Sequence, residues 1–204
     1  MIPAVVLAAG RSSRMGVPKA TLPLDGGDTF LSRIVRTFSA AGVDDVVVVL
    51  GHDPDEVARL VEEQNLPVRL AVNRDYDRGQ LSSLQAGLNV VDRPGVEAIL
   101  LTLVDVPLVS PSTVSAVIER YRRTRAPIVR PTSGARHGHP LIIDRSLFDD
   151  LRRGDDASGA KPIVRAHASP AGDVVVDDEG AFADIDTAED YARIVTHRDR
   201  QAGE

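Results

Sequence analysis

Residues 5–19 read VVLAAGRSSRMGVPK, an apolar run of strand length that ends at Gly10 and leads into a loop carrying Arg11, Arg14 and Lys19. A continuous apolar run is typical of a strand buried on both faces of a sheet. The glycine lets a ligand approach the backbone, and successive N–H groups can surround phosphate oxygens. Three cations beside such a loop predict a polyphosphate site, with a solvated basic loop as the alternative.

Apolar runs and amphipathic stretches alternate along the chain that follows. Buried strands are predicted at residues 46–50, 68–72 and 98–103, and helices at residues 29–41, 53–64, 82–91 and 110–125. Asp28, Asp53 and Ser110 precede three of these helices as the predicted N-caps. The alternation predicts a single-domain α/β fold with a mostly parallel, twisted sheet and helices on both faces.

The last third of the chain has a less regular pattern. It predicts short strands at 128–129 and 141–143, a helix at 145–152 and a hairpin turn at 178–180. Thr187 to Asp190 resemble a capping box that opens a C-terminal helix. We therefore expect one domain over residues 1–196 and a polar C-terminal tail over residues 197–204.

Composition excludes several classes of function. The 204 residues include no Cys, which rules out thiol nucleophiles, iron–sulfur clusters and Cys-ligated zinc. The net charge of −6 and the 3% aromatic content argue against nucleic acid or an anionic membrane as partner. No apolar run approaches the ~20 residues of a membrane span. The sequence therefore predicts a cytoplasmic protein without nucleic acid or membrane partners.

Polar side chains follow two further strands of the predicted sheet. Asp105 comes just after the strand at 98–103 and is placed to hold Mg²⁺, with a turn or cap residue as the alternative. Asn73 follows the strand at 68–72, and Ser82 and Ser83 open the next helix. These three suit the base or sugar of a nucleotide, although the serines also suit helix capping. The C-terminal ends of parallel strands share one edge, so these groups are expected to lie near Gly10.

The ordered set of motifs resembles the MobA-like nucleotidyltransferases, which include the molybdenum cofactor cytidylyl- and guanylyltransferases. The resemblance extends over nearly the whole chain and rests on residues 7–19, 79–88, 105–107, 138–140 and 184–191. It implies a Rossmann-like nucleotidyltransferase fold. The sequence departs from the family pattern in two places. At Ala20-Thr21 cytidylyl members often have Gln-Leu. At residues 154–160 the family's Gly-Asp-x-Gly-Ala stretch carries extra residues in this chain.

The resemblance also implies roles for individual residues. The nucleotide-binding residues are Ala8, Ala9, Gly10, Arg11 and Ser12, together with Asn73, Ser82 and Ser83. The catalytic residues are Lys19, Arg14 and Asp105, of which the two cations neutralise the β- and γ-phosphates. Mg²⁺ is the implied cofactor, with Asp105 as ligand and Asp186 as a second ligand that also suits a helix cap. Gly138 and His139 are the implied acceptor-binding residues.

The implied reaction transfers CMP from CTP to a phosphate-bearing acceptor and releases pyrophosphate. The resemblance points to a pterin-type acceptor, molybdopterin, and to a molybdoenzyme as a partner. We expect CTP to be preferred over GTP, because guanylyl members typically have Gly where this chain has Ala9. A guanylyltransferase and another small-acceptor cytidylyltransferase remain alternatives. An NAD(P)H-dependent oxidoreductase or a non-catalytic cofactor-binding protein is a further alternative, which Lys19 and Asp105 argue against.

Overall fold

The predicted strands form one mixed sheet in the computed structural model, which describes residues 1–12 and 15–193. The strands found in this part of the chain are β1 (Ala4–Ala8), β2 (Val46–Leu50), β3 (Arg69–Val72), β4 (Ala98–Leu103), β5 (Ile128–Ser133), β6 (Arg136–His137), β7 (Leu141–Asp144) and β8 (Asp173–Val175). In space they follow the order β3-β2-β1-β4-β7-β5-β6, and β8 lies beside β5.

The four strands that carry the predicted site are parallel. β1 pairs with β2 on one side and with β4 on the other, and β2 pairs with β3. Chain order reverses at β1, since β2 and β3 lie to one side of it and β4 to the other. In open α/β sheets, ligands bind beyond the carboxyl ends of the strands at such a reversal.

Helices cover both faces of the sheet, as the sequence predicts. They are α1 (Phe30–Ala40), α2 (Pro54–Glu63), α3 (Gln80–Val91), α4 (Pro111–Thr124), α5 (Phe148–Arg153) and α6 (Lys161–His167), and residues 188–193 are also helical. Alternate residues of β1 enter two separate apolar cores: Val6 faces α1, α2 and α4, whereas Val5 faces α3 and α5. The predicted α/β fold class is confirmed.

The late part of the sheet departs from the parallel pattern. β7 runs antiparallel between β4 and β5, which confirms the short strands predicted near residues 128 and 141. The hairpin predicted around residues 178–180 is wrong. Residues 179–182 form a 3₁₀ turn, and β8 pairs with β5 in parallel. Helix α6 was not predicted.

Several helix starts also differ from the prediction. Thr29 rather than Asp28 caps α1, because the buried Asp28 carboxylate is bound by Arg33 and Arg36. Helix α3 begins at Gln80, so Ser82 and Ser83 lie inside its first turn and do not cap it. Ser110 caps α4 as predicted.

The capping box at the C-terminal helix is confirmed. The Thr187 hydroxyl accepts from the Asp190 N–H, and the Asp190 carboxylate accepts from the Thr187 N–H. Within residues 1–12 and 15–193 no helix is long and apolar enough to cross a membrane. The predicted domain end at residue 196 and the tail at residues 197–204 lie outside the described residues.

Candidate active site

The carboxyl ends of β1 and β4 and the segment between β3 and α3 border a cleft of about 380 Å³. This volume is within the range of small-ligand pockets. The cleft is lined by Leu7, Ala8, Ala9, Gly10, Arg11, Ser12, Met15, Lys19, Tyr76, Gly79, Gln80, Ser83, Leu103, Val104, Asp105 and Asp186. Most of the residues predicted to bind the nucleotide or the metal therefore lie along one surface.

The loop after β1 has the features expected of a phosphate site. A Cβ at Gly10 would meet open space, so the backbone there is accessible to a ligand. Ser12 has a positive φ of 47°, its carbonyl oxygen accepts from the N–H groups of Met15 and Gly16, and its hydroxyl accepts from the Lys19 N–H. These bonds fold the loop back toward the cleft. Arg14 lies outside the described residues.

Lys19 connects two carboxylates at one end of the cleft. Its ammonium donates to Asp105 Oδ2 at 3.0 Å and to Asp186 Oδ1 at 2.6 Å. Only 12% of the Lys19 side chain and 21% of the Asp105 side chain are exposed, so this ion pair is largely shielded from water, whereas the Asp186 side chain is 44% exposed. The Ile185 N–H donates to the Asp105 carbonyl oxygen, and this bond fixes the segment that carries Asp186 beside the end of β4.

Asp105 is not fully satisfied by its neighbours. Its second carboxylate oxygen, Oδ1, is buried and has no hydrogen-bond partner among the described residues. Within residues 1–12 and 15–193 neither oxygen accepts from a backbone N–H, which argues against the alternative of a turn or cap residue for this side chain. An unpartnered buried oxygen is costly, and such groups require an explanation. A bound cation or an ordered water molecule satisfies such an oxygen.

A third carboxylate, Asp184, adds to the negative charge at this end. Burial raises the pKa of Asp184 above its ordinary value, and the neighbouring charges of Asp105 and Asp186 raise it further. His139 lies close enough to oppose this shift, and burial lowers the pKa of His139 itself. Two carboxylates thus contact one ammonium and a third lies nearby, and the excess negative charge favours a cation.

The residues at this end fit a divalent metal, although they do not form a complete protein cage. Within the described ranges, no group of three or more His, Cys, Asp or Glu side chains is arranged to hold a metal ion. Mg²⁺, however, is commonly held by one or two carboxylates together with substrate phosphates and waters. Asp105, with its free Oδ1, and Asp186 are the residues that would hold it.

The other end of the cleft is neutral and internally bonded. The Asn73 amide nitrogen donates to Ser82 Oγ at 2.9 Å and to Ser83 Oγ at 3.1 Å, and its oxygen accepts from the Asp75 N–H. All three side chains are buried, but only Ser83 lines the cleft. Asn73 and Ser82 therefore fasten the start of α3 to the end of β3.

Arg11 and the aromatic Tyr76 lie on the β3 side of the cleft. Arg11 forms a bidentate ion pair with Asp77, and its guanidinium lies 5.7 Å from the centre of the Tyr76 ring. The pair with Asp77 is exposed, and exposed pairs contribute only about 0–1 kcal/mol. Arg11 can therefore exchange Asp77 for a phosphate at little cost.

The two predicted acceptor-binding residues, like Asn73 and Ser82, do not line the cleft. Gly138 is buried against the segment around Ala181, where a Cβ would lie 2.2 Å from the Ala181 carbonyl oxygen. The His139 ring faces the Leu101 carbonyl oxygen at 3.4 Å, and the His139 N–H donates to Ala181. Both residues join β6 and β7 to the segment that carries Asp184 and Asp186.

Several cleft residues were not predicted from the sequence, among them Met15, Tyr76, Gln80 and Val104. Tyr76 had a usable signal, because it is one of three tyrosines in the chain and follows Asn73 by three residues. Gln80 and Met15 carry no comparable signal.

Comparison with known proteins reveals related chains along the whole length. Residues 4–171 match the model of the family described as the MobA-like NTP transferase domain. A nicotine blue oxidoreductase of Paenarthrobacter nicotinovorans is 32% identical over 94% of this chain and 95% of its own. A probable molybdenum cofactor guanylyltransferase of Mycobacterium bovis is 28% identical over 90% of this chain and 88% of its own.

Solved structures with the same fold include two close matches. A nucleotidyl transferase from Methanothermobacter is 29% identical with a TM-score of 0.80, over 98% of this chain and 99% of that one. The Mycobacterium tuberculosis protein Rv0371c in complex with manganese is 30% identical with a TM-score of 0.76, over 96% and 98% of the two chains.

Proposed function

Because this chain belongs to the MobA-like NTP transferase family, we propose that it transfers CMP from CTP to a phosphate-bearing acceptor and releases pyrophosphate. The observation that carries the proposal is the charged end of the cleft. There Lys19 joins Asp105 to Asp186, and one buried Asp105 oxygen has no partner in the part of the chain that the structure describes. A protein that only binds a cofactor has no need of an unpartnered carboxylate oxygen beside the loop that follows β1.

Each end of the cleft has a distinct task in this proposal. The loop residues Ala8 to Ser12 hold the nucleotide, with Gly10 leaving room for it and Arg11 exchanging Asp77 for phosphate. Lys19 and Arg14 neutralise the negative charge on the β- and γ-phosphates, and Ser83 contacts the base or sugar. Asn73 and Ser82 act indirectly, since they hold Ser83 in place.

Asp105 and Asp186 are the proposed ligands of Mg²⁺, which would supply positive charge where the phosphates become more negative. The ammonium of Lys19 contacts the same two carboxylates. We propose that Lys19 turns from the carboxylates to the phosphates when a nucleotide enters. Its four-carbon side chain permits this movement, whereas a shorter side chain would not reach both groups.

The acceptor needs no dedicated general base. The second ionisation of a phosphate monoester has a pKa of about 6, so the nucleophile is already ionised near pH 7. His139, the buried histidine nearest the carboxylates, does not line the cleft and is not assigned a proton-transfer role. A pterin-type acceptor such as molybdopterin is proposed because a guanylyltransferase of the molybdenum cofactor is among the relatives. A molybdoenzyme that receives the product is the proposed partner.

The preference for CTP over GTP rests on the sequence difference at Ala9. Ala9 is 5% exposed, and its methyl group lies against Gly51, which follows β2. The wall of the cleft that Ala9 forms is already closely packed there. A purine needs more room beside this wall than a pyrimidine does. A cytoplasmic location, which the sequence predicts, suits substrates of this class.

A second candidate function comes from the whole-length similarity to a protein named nicotine blue oxidoreductase. Under this alternative the cleft binds a dinucleotide and transfers a hydride. The unpartnered Asp105 oxygen among the described residues argues against it, because hydride transfer needs no metal ion beside the loop that follows β1.

One experiment separates the two candidates. The purified protein is incubated with CTP or GTP, Mg²⁺ and a pterin phosphate, and pyrophosphate release is measured. Parallel samples follow NADH and NADPH oxidation with a quinoid dye. We expect pyrophosphate with CTP and none from an Asp105→Asn control. Reductase activity without pyrophosphate release would reject the proposed transfer.

A further inference from the structure

Tyr76 lines the cleft on the side of β1 opposite to the charged end. Asp105 follows β4, whereas the Tyr76 side chain packs on Gly51, which follows β2, and two strand spacings of about 4.8 Å, or roughly 10 Å, separate β4 from β2. If the phosphates lie beside Lys19, as the proposed function requires, the base or ribose of the nucleotide extends toward Tyr76. The phenol is therefore placed to contact the part of the nucleotide that distinguishes one substrate from another.

The position of Tyr76 is fixed by its surroundings. A Cβ at Gly51 would lie 2.6 Å from the Tyr76 Cβ and 2.6 Å from the Ala9 carbonyl oxygen, so the phenol side chain packs directly on bare backbone. The ring is half-buried, and the Arg11 guanidinium lies 5.7 Å from its centre. A side chain confined in this way loses little further entropy when it binds a ligand.

The Tyr76 hydroxyl is held by a histidine. His52 Nδ1 lies 3.2 Å from the Tyr76 oxygen, and His52 Nε2 lies 3.2 Å from an Asp53 carboxylate oxygen. The negative charge of Asp53 favours a proton on Nε2, which leaves a lone pair on Nδ1. The Tyr76 hydroxyl then donates to Nδ1, and the lone pairs of its own oxygen are left to accept from a ligand.

Asp53 has a backbone conformation that supports this arrangement. It precedes α2 and was predicted to cap it, yet its side chain makes no capping hydrogen bond. Its φ is 45°, in the left-handed region that residues other than Gly rarely adopt. Such conformations cluster at functional sites, where other interactions maintain them. Here the result is a carboxylate beside the His52 ring.

Resting on the proposed function, we infer that Tyr76 is a specificity-determining residue that accepts a hydrogen bond from a donor group of the nucleotide, with His52 and Asp53 as its positioning residues. The donor is an amino group of the base or a hydroxyl of the ribose. Neither His52 nor Asp53 touches the nucleotide in this arrangement, since both line a separate recess on the other side of the loop that follows β1.

The test measures CTP affinity directly, by calorimetry with Mg²⁺ present. Tyr76→Phe is expected to weaken CTP binding by roughly 3- to 10-fold, the effect of one hydrogen bond. Tyr191→Phe is the matched control, because that hydroxyl donates to Pro23 outside the cleft, and it is expected to bind CTP normally. Equal affinity of Tyr76→Phe and the native protein would overturn the inference.

The positioning role of His52 is tested by two isosteric variants. In His52→Asn an amide oxygen takes the place of Nδ1, whereas His52→Gln places its amide at Nε2. We expect His52→Gln to bind CTP as weakly as Tyr76→Phe, and His52→Asn to retain most of the affinity. In a Tyr76→Phe background, His52→Gln should cause no further loss of CTP affinity. An undiminished effect of His52→Gln in that background would show that His52 acts independently of Tyr76 and overturn its assigned role.

Nucleotide analogues identify the donor. UTP lacks the amino group of CTP, and 2′-deoxy-CTP and 3′-deoxy-CTP each lack one ribose hydroxyl. Each analogue is expected to bind the native protein more weakly if it lacks the donor group. The analogue whose loss of affinity disappears in Tyr76→Phe identifies the group from which Tyr76 accepts a hydrogen bond. If all three losses of affinity persist in Tyr76→Phe, the inference is overturned. If the native protein binds neither CTP nor GTP, the proposed function fails as well. Native binding with no effect at Tyr76 defeats the inference alone.

Discussion

The two ends of the cleft satisfy their polar groups in opposite ways. At the β4 end, Asp105 and Asp186 share the Lys19 ammonium, Asp184 lies near both carboxylates, and Asp105 Oδ1 has no partner among the described residues. At the β3 end, both sides of the Asn73 amide are engaged by neighbouring residues. Groups left unsatisfied within the protein await a ligand, whereas satisfied groups hold the scaffold. Substitutions at the β4 end should therefore reduce mainly activity, whereas substitutions at the β3 end should reduce mainly stability.

Asp105→Asn is the strongest test of the charged end. We expect kcat/KM to fall by about 10³-fold, because the amide keeps the shape of the carboxylate but offers no charge to a metal. The melting temperature should stay within about 2 °C of the native value, since removing one of three clustered negative charges relieves repulsion. The measurement is a Mg²⁺ titration of turnover together with thermal unfolding. Full recovery of turnover at slightly higher Mg²⁺ would show that the wrong carboxylate was chosen.

Lys19→Ala should affect both activity and stability. We expect kcat/KM to fall about 10²-fold through lost phosphate neutralisation. The two carboxylates then face each other without a cation, at a cost of about 1–2 kcal/mol in the free energy of unfolding. Since Lys19 and the proposed metal ion share the same two carboxylates, Mg²⁺ should raise the melting temperature of the variant more than that of the native protein.

Lys161 supplies the control for that experiment. It is the other lysine of the chain, it is exposed at the start of α6, and it does not line the cleft. Lys161→Ala should leave turnover, stability and the Mg²⁺ response unchanged. A Mg²⁺ response of Lys19→Ala no larger than that of Lys161→Ala would argue against metal binding at Asp105 and Asp186.

Asn73→Ala tests the neutral end, where we expect a loss of stability. The substitution removes three hydrogen bonds and leaves buried groups unpaired, at a cost of about 2–3 kcal/mol. For a domain of this size the melting temperature should fall by roughly 4–12 °C. Thermal unfolding and nucleotide KM are measured together. A strongly raised KM with unchanged stability would show that Asn73 contacts the nucleotide itself.

The two serines refine the same comparison. Ser82→Ala removes a hydroxyl that lies behind the cleft, whereas Ser83→Ala removes one that lines it. Both serine variants should lose stability to a similar degree, and each should lose less than Asn73→Ala does. Only Ser83→Ala should raise the KM for the nucleotide, by severalfold. Equal effects of both variants on KM would contradict the separation of scaffold from site.

The sequence allowed the parallel part of the sheet to be predicted closely, because buried parallel strands are short runs of apolar residues with clear ends. The convergence of Gly10 and Asp105 followed from the rule that parallel strands end on one edge. The hairpin near residue 179 was predicted wrongly, since a turn motif does not reveal whether its flanks pair with each other. Their actual partners, such as β5 for β8, are distant in sequence.

The helix starts and the inner contacts of the site were harder to predict. Asp28 and Asp53 both have the residue type of an N-cap, but Asp28 binds two arginines and Asp53 lies beside His52. Capping preference cannot anticipate a competing partner supplied by tertiary contacts. Tyr76 and Asp184 likewise received no site role from the sequence, because only the folded chain brings Tyr76 to the cleft and Asp184 to the other two carboxylates.

Ala9→Gly is expected to have the smallest effect and concerns the wall between the two ends. The native protein should prefer CTP over GTP by roughly tenfold or somewhat more, because a single methyl contact supports discrimination of about 1–3 kcal/mol. The methyl group of Ala9 lies against Gly51, where a Cβ would also meet Tyr76. Its removal therefore gives the wall room to move back, and the ratio of kcat/KM for CTP and GTP should shift several-fold toward GTP. Gly51→Ala narrows the same wall and should shift the ratio the other way if the protein still folds.

A native preference for GTP would refute the assigned base. A preference for CTP that Ala9→Gly leaves unchanged would instead place the discrimination elsewhere, with the acceptor oxygen of Tyr76 as the next group to test.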